Sequence, residues 1–327
     1  MNAYNTGFLL GKFMPPTIGH VHLAGFACNV VKDMTIVVET RDSDPVPGDL
    51  RVKWMRELFP QAKVFRLHKD MPQSPSEHPD FWNLWKETLM LFTEGKSPDI
   101  VFASDDYGKP LAECLGARFF PLDPGREAVD ISATRVRDNP YKNWRFISHP
   151  AREFYARKFS FIGPESTGKS TIVKEMAKVF KTVFVREFAA NLLQFQKGFL
   201  LEDAVDSVIA QKADIKISSR LCNGNLFVDS DALTTKIWCQ KLFNQVPDMV
   251  EREVENENFE HTFLFSPDSP YIEDVHRKPE WKQFRYDMFF AMEQELIANK
   301  RPYTVISGDW KERKIQVYNS LKTFIKK

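Results

Sequence analysis

Residues 163–170 read GPESTGKS. The apolar run FSFI precedes them, and TIVKEMAKVF, with apolar residues at helical spacing, follows. A G-x-x-x-x-G-K-[ST] loop between a strand and a helix constrains a chain strongly. It demands a parallel sheet whose strand delivers the loop to the carboxyl edge, with a helix running back along one face. Glycines let successive backbone N–H groups turn toward phosphate, and the helix N-terminus adds partial positive charge. Gly163, Glu165, Ser166, Thr167, Gly168, Lys169, Ser170 and Thr171 are therefore read as an ATP-binding loop. Lys169 is expected to reach the β- and γ-phosphates, and the Ser170 hydroxyl to help hold Mg²⁺.

Short apolar runs around this loop fit the same architecture. KFSFIG (158–163), TVFVRE (182–187), NLFVDSD (225–231), HTFLFS (261–266) and YTVIS (303–307) read as strands, and residues 204–221 as an intervening helix. NLFVDSD ends in Asp229 and Asp231, at the sheet edge where such folds bind ligands. Asp229 is assigned the Mg²⁺-linked role; either acid could serve as the base toward an acceptor hydroxyl. Arg186 and Glu187 end the second strand and are read as an ion pair or as site residues. The charged stretch 270–281, with Asp274, His276 and Arg277, is a candidate lid, Arg277 being the one expected over phosphates. SGDWKER (307–313) lies after the last strand, where small P-loop kinases place adenine. One P-loop in a compact unit without long insertions points to a small-molecule kinase.

A separate strand–helix alternation fills the first half. FLL (8–10), MTIVVE (34–39), AKVFRL (62–67) and DIVFAS (99–104) read as strands; 50–59 and 81–92 have helical spacing. With 327 residues, 43% of them apolar, two cores are expected rather than one. The aperiodic segment NPYKNWRFISHP (139–150) is the expected boundary, giving two α/β domains over 1–148 and 149–327. Forty-five basic against 44 acidic residues give no support to bulk nucleic-acid or membrane-surface binding. Cys28, Cys114, Cys222 and Cys239 are scattered without metal spacing. They read as reduced thiols of a cytoplasmic protein. The N-terminus lacks a signal peptide pattern, and no apolar run is of membrane length.

The first half carries its own loop. GKFMPPTIGH (11–20) follows FLL and opens the helical run HVHLAGFACNVV. Gly19 removes a side chain where phosphate would approach the backbone, His20 offers a hydrogen bond, and Lys12 a charge. The segment 131–137, ISATRVR, supplies a helix cap in Ser132 or Thr134 and places Arg137 toward the same anions.

T-x-G-H after a first strand, followed by I-S-x-[ST]-x-x-R, resembles the nucleotidyltransferase superfamily. The resemblance implies a Rossmann-like N-terminal nucleotidyltransferase domain joined to a C-terminal P-loop kinase. With DPVPGDLRVKWMRELFP, FPLDPGREAVDISATRVRDNPYKNW, VREFAANLL and FVDSDALTTKIWC, nearly the whole chain resembles the bifunctional NadR-type enzymes. These couple nicotinamide-mononucleotide (NMN) adenylyltransferase to ribosylnicotinamide kinase.

The resemblance implies ATP, ribosylnicotinamide, NMN and NAD as ligands, Mg²⁺ as cofactor, and a homo-oligomer. Lys12, His20 and Arg137 become the catalytic residues of the first site, on the triphosphate, within a binding set of Gly11, Phe13, Thr17, Gly19, Ile131, Ser132 and Thr134. A cationic nicotinamide ring suits an aromatic face, for which Trp82 and Trp85 are candidates in the first domain and Trp238 in the second. Two departures stand out. The first strand starts within ten residues of Met1, so the DNA-binding domain of some members is not expected. Thr17 stands where many members have His. Rival readings are a phosphopantetheine adenylyltransferase fused to dephospho-coenzyme-A kinase, and a non-catalytic regulator that binds NAD or ATP.

Overall fold

Alternating strands and helices build two separate parallel sheets in a computed structural model that describes residues 4–192, 198–270 and 281–325. The chain divides into a unit of Met1–Arg152 and a unit of Glu153–Lys327.

In the first unit the elements are β1 (Tyr4–Gly11), α1 (Ile18–Val30), β2 (Val31–Thr40), α2 (Gly48–Leu58), β3 (Lys63–His68), α3 (Phe81–Met90), β4 (Ile100–Ala103), α4 (Gly108–Leu115), β5 (Arg118–Pro121) and α5 (Ala133–Asp138). The sheet order is β3-β2-β1-β4-β5, all parallel. Side chains alternate across each strand. Leu9, Ile36 and Phe102 pack with Leu23 and Ala27 of α1, Met55 of α2 and Phe59 just after it. Phe8, Val37 and Val101 pack with Phe81, Trp85, Leu111 and Leu115 from α3 and α4. The result is three layers, helix–sheet–helix. The chain winds outward from β1 to β3 and then returns to β4, so the sheet reverses direction beside β1.

The segment 139–150 belongs to the first unit, whose end falls at Arg152. Trp144, Ile147 and Pro150 are buried, and Ile147 pairs as an antiparallel bridge with Thr17. The Ser148 N–H donates to the Pro16 carbonyl at 3.1 Å. The segment, which lacks any period, is thereby tied to the first loop at Pro16 and Thr17.

At the division lies α6 (Arg152–Tyr155). The second unit continues with β6 (Arg157–Ile162), α7 (Lys169–Val179), β7 (Phe184–Val185), α8 (Phe188–Leu192), α9 (Leu201–Leu221), β8 (Asn225–Asp229), α10 (Ala232–Phe243), α11 (Asp248–Asn256), β9 (His261–Phe265), α12 (Trp281–Ala298), β10 (Tyr303–Ile306) and α13 (Trp310–Ile325). Its order is β10-β9-β6-β8-β7, again parallel. Phe159, Phe161, Phe227, Phe263 and Phe265 pack against α7 and α13 through Ile172, Met176, Val317 and Leu321. On the other face, Ile162 and Leu264 meet Val208, Leu233, Ile237, Val250 and Met292. The second strand is only two residues long. The Thr182 hydroxyl, just ahead of it, is spent on the Asn225 carbonyl. In both units the first strand is central, so the loop after it emerges with a neighbouring strand on each side.

Candidate active sites

In the first unit a cleft of about 560 Å³ lies at the carboxyl ends of β1 and β4. This is where the strand order reverses, the place where open α/β sheets bind ligands. Gly11, Lys12, Phe13, Thr17, Gly19, His20, Trp82, Trp85, Ile131, Ser132, Thr134 and Arg137 all line it. The two sequence motifs thus meet in one cavity.

The loop ends in a capping box. The Thr17 hydroxyl accepts the His20 N–H, while His20 Nδ1 accepts the Thr17 N–H at 3.0 Å. An accepting Nδ1 puts the ring proton on Nε2, so the imidazole keeps one donor. Burial pushes the His20 pKa down to about 4; Asp105 opposes this and Arg126 adds to it. At neutral pH His20 is therefore a neutral hydrogen-bond donor, not a charge. Thr17 is 1% exposed and locked as the cap, which accounts for a threonine at this position. The Phe13 ring is buried and meets His20 edge-on at 5.2 Å, shaping the turn from beneath. Ser132, rather than Thr134, caps α5, accepting the Arg135 N–H at 3.1 Å. Thr134 accepts from Arg137 Nη2 at 3.0 Å, and Arg137 Nη1 donates to the Met14 carbonyl at 2.6 Å. Arg137 thereby ties the second motif to the first loop.

Other residues of this cleft carried no distinct sequence signal. Arg126 pairs with Asp105 at 2.9 Å, and both line the cavity. Tyr107 donates to the Leu10 carbonyl at 2.6 Å. Arg51, fully buried, donates to the Lys12 carbonyl at 2.7 Å and to the Glu39 carbonyl at 2.9 Å, and pairs with Asp44. It holds the first loop to the end of β2. Arg51 and Arg126 fall inside two of the quoted landmark segments, the one trace they left in the sequence.

The two tryptophans separate. Trp85 is 5% exposed and its indole N–H donates to the Pro72 carbonyl at 3.0 Å, which makes it a core residue at the cleft wall rather than a stacking face. Trp82 is half-buried and edge-on to Phe81 at 4.9 Å.

In the second unit Gly163 (φ 151°) and Gly168 (φ 80°) hold backbone conformations that side chains resist. A Cβ on Gly163 would lie 2.8 Å from the Phe265 carbonyl oxygen, and one on Gly168 2.5 Å from the Trp310 ring. No side chain caps α7, so its first N–H groups stay available for an anion. Thr167 is turned inward, donating to the Pro164 carbonyl at 2.8 Å, and Thr171 is exposed. The Ser166 carbonyl accepts the Ser269 hydroxyl at 2.9 Å, and Glu165 is half-buried. Arg313 braces the loop from behind, donating to the Thr167 carbonyl at 3.2 Å and the Gly308 carbonyl at 2.8 Å while pairing with Asp268. SGDWKER thus flanks the P-loop through both Trp310 and Arg313.

Lys169 Nζ is 3.8 Å from Glu187. Asp229 is buried, and its Oδ1 has no hydrogen-bond partner. Burial pushes its carboxyl up; Lys169 pulls it back, Glu187 raises it again, and the Ser170 hydroxyl bonds to it, leaving a value of about 6. A buried carboxylate with an orphaned oxygen beside a hydroxyl fits a hard cation that takes most of its ligands from phosphate and water. Asp231 has another job. It is fully buried, caps α10 by accepting the Thr234 N–H at 3.1 Å, and accepts the Ser160 hydroxyl at 2.9 Å, with Arg301 3.7 Å away. With both oxygens engaged in the core, it does not serve as the base. Trp238 packs against Phe284, with ring centres 5.9 Å apart, among the helices of that layer. Arg277, with Asp274 and His276, lies outside the described residues.

A family model for the AAA domain matches residues 158–313. The trifunctional NAD biosynthesis/regulator protein NadR of Escherichia coli (strain K12) is 27% identical over 289 residues, covering 82% of this chain and 70% of that protein. This chain is similar to NadR over most of its length. A crystal structure of NadR protein in complex with NR shares the fold with a TM-score of 0.80 at 20% identity, covering 99% of this chain and 97% of the other. A second, of NadR protein in complex with NAD and AMP-PNP, has a TM-score of 0.77 at 18% identity, covering 100% and 98%. The two structural matches cover nearly the whole chain and so both loops, and the AAA match contains the whole P-loop. Among the described residues no helix is long and apolar enough to cross a membrane.

Proposed function

We propose that the chain is a bifunctional enzyme of NAD synthesis. Its C-terminal unit phosphorylates ribosylnicotinamide to NMN with ATP. Its N-terminal unit, a Rossmann-like nucleotidyltransferase, joins NMN to a second ATP, giving NAD and pyrophosphate. The observation that carries the reading is the meeting of His20 and Arg137, from two distant motifs, in one cleft with Trp82. Similarity to NadR supports it.

In the first reaction the nucleophile is the 5′-hydroxyl, which must lose a proton. Asp229 is the carboxylate placed to take it, buried at the end of β8 beside Lys169 and Ser170. Lys169 and the uncapped start of α7 neutralise the transferring phosphate. Mg²⁺, when bound, would be held by Ser170 and Asp229 and supplies charge neutralisation on the phosphates.

In the second reaction the nucleophile is the phosphate of NMN, already an anion, so no base is required. Catalysis is positioning and charge neutralisation. Lys12, Arg137 and Arg126 bring positive charge to the cleft, His20 donates a hydrogen bond from Nε2, and Trp82 offers a face to the cationic ring. The deciding assay incubates purified protein and Mg-ATP with ribosylnicotinamide, NMN or phosphopantetheine and identifies the products. NMN and NAD are expected. Dephospho-coenzyme A without NAD, or tight NAD binding without turnover of any substrate, would overturn the reading.

A further inference from the structure

The P-loop of the second unit is held at three of its carbonyls. The Thr167 hydroxyl donates to the Pro164 carbonyl at 2.8 Å, the Ser269 hydroxyl to the Ser166 carbonyl at 2.9 Å, and Arg313 Nη1 to the Thr167 carbonyl at 3.2 Å. A trans peptide is planar, so its carbonyl and the N–H of the next residue point in opposite directions. Each of these bonds therefore sets the direction of one loop N–H, those of Glu165, Thr167 and Gly168 in turn. Arg313 is 1% exposed. The carbonyl it holds points into the protein, and the Gly168 N–H points out of it.

The two donors that come from outside the loop are themselves fixed. Arg285 Nη2 donates to the Ser269 carbonyl at 3.2 Å and to the Ser269 hydroxyl oxygen at 3.3 Å. With that oxygen accepting from Arg285, its proton is directed to Ser166. Arg313, near the start of α13, donates to the Gly308 carbonyl at 2.8 Å and to the Ser266 carbonyl at 3.0 Å, and pairs with Asp268. The other oxygen of Asp268 accepts the Gly308 N–H at 2.7 Å. The loops after β6, β9 and β10 thus meet on one guanidinium, whose planar fork allows a single placement. A charged donor also polarises the peptide it holds, which strengthens the N–H on the far side.

We infer, on the kinase reading above, that Arg313 and Ser269 are positioning residues for ATP. They act through the Thr167 and Ser166 carbonyls and aim the Gly168 and Thr167 N–H groups at the phosphates before ATP arrives. Donors set in advance need no reorganisation when the charge must be held. Without a donor behind it, either peptide is free to rotate and present a carbonyl oxygen to an anion.

The test assays the full chain with Mg-ATP and ribosylnicotinamide for NMN formation, and with supplied NMN for NAD formation as an internal control. Ser269→Ala is expected to raise KM for ATP in NMN formation about fivefold, the worth of one hydrogen bond. KM for ribosylnicotinamide and the rate of NAD formation should hold. Arg313→Lys, whose ammonium cannot reproduce the fork, should raise the same KM on the order of tenfold or more. Thermal melting checks that each variant is folded, and Ser269→Ala, at a half-buried position, carries the test if Arg313→Lys does not fold. KM for ATP unchanged in the folded variants, or raised no more than that for ribosylnicotinamide, would overturn the positioning role and leave the kinase reading standing. Absence of NMN formation in the wild type would overturn the kinase reading itself, and the positioning role with it.

Discussion

The two loops solve the same problem with opposite means. Both leave the central strand of a parallel sheet and enter a helix. At residues 163–170 the helix start is bare: no side chain caps α7, and glycines hold conformations that aim backbone N–H groups. At residues 11–20 the helix start is closed by Thr17 and His20, each bonding the other's backbone. The first arrangement presents backbone dipoles and a lysine. The second presents side chains: a neutral imidazole donor and arginines brought from elsewhere. The difference suits the reactions proposed for them. Transfer of a terminal phosphoryl group to a hydroxyl needs the phosphates cradled and a base at hand. Attack by an anion on an inner phosphate needs no base and an open approach.

The largest effects should come from exchanging the two sites' fates. Lys169→Ala is expected to lower NMN formation by roughly 10²–10³-fold and leave NAD formation from supplied NMN intact; His20→Ala should do the reverse at similar magnitude. A folded variant losing both reactions would break the two-site comparison.

Next is pH. In the metal-free protein burial raises Asp229 to about 6, and this couples stability to pH. Between the ordinary carboxyl value of 3.8 and about 6, folded Asp229 keeps a proton that the unfolded chain releases, so its contribution to stability declines as pH rises through that window. Asp229→Asn should therefore raise Tm at neutral pH while abolishing phosphorylation.

Smaller effects come from the glycines. Gly168→Ala meets a positive φ and the Trp310 ring, and should cost the second unit ~1–3 kcal/mol. Gly19→Ala meets nothing closer than 3.6 Å, so Tm should hold; if phosphate does approach there, overpacking of ~1–3 kcal/mol raises KM for ATP roughly tenfold. The smallest is Thr17→Ala, expected to cost about 1 kcal/mol through the lost cap, with Thr17→Ser restoring Tm.

Much of the cleft was legible in the sequence because its motifs are local. The loop 11–20 and the segment 131–137 each carry their spacing within a few residues, and the structure brings His20 and Arg137 to one cavity. What was illegible depended on partners. Asp229 and Asp231 differ by two positions at a strand end, and only the surroundings separate them: Asp231 faces Ser160 and the start of α10, Asp229 faces Lys169 and Ser170. Trp82 and Trp85 share a helix and differ in burial. Residues 139–150 read as a boundary because they lack a period, yet Ile147 pairs with Thr17 inside the first unit.

By itself the sequence determined two parallel α/β units, the two loops between strand and helix, and the chemistry those loops hold. These are properties of hydrophobic period and residue type over short spans. The tertiary structure alone decided that His20 is neutral, that Asp231 is a cap, that Arg51 and Arg126 serve the first cleft, and that Arg313 and Ser269 stand behind the P-loop. Protonation, burial and pairing depend on groups brought together across the sheet, and no local pattern encodes the dielectric or the partner that a folded chain supplies.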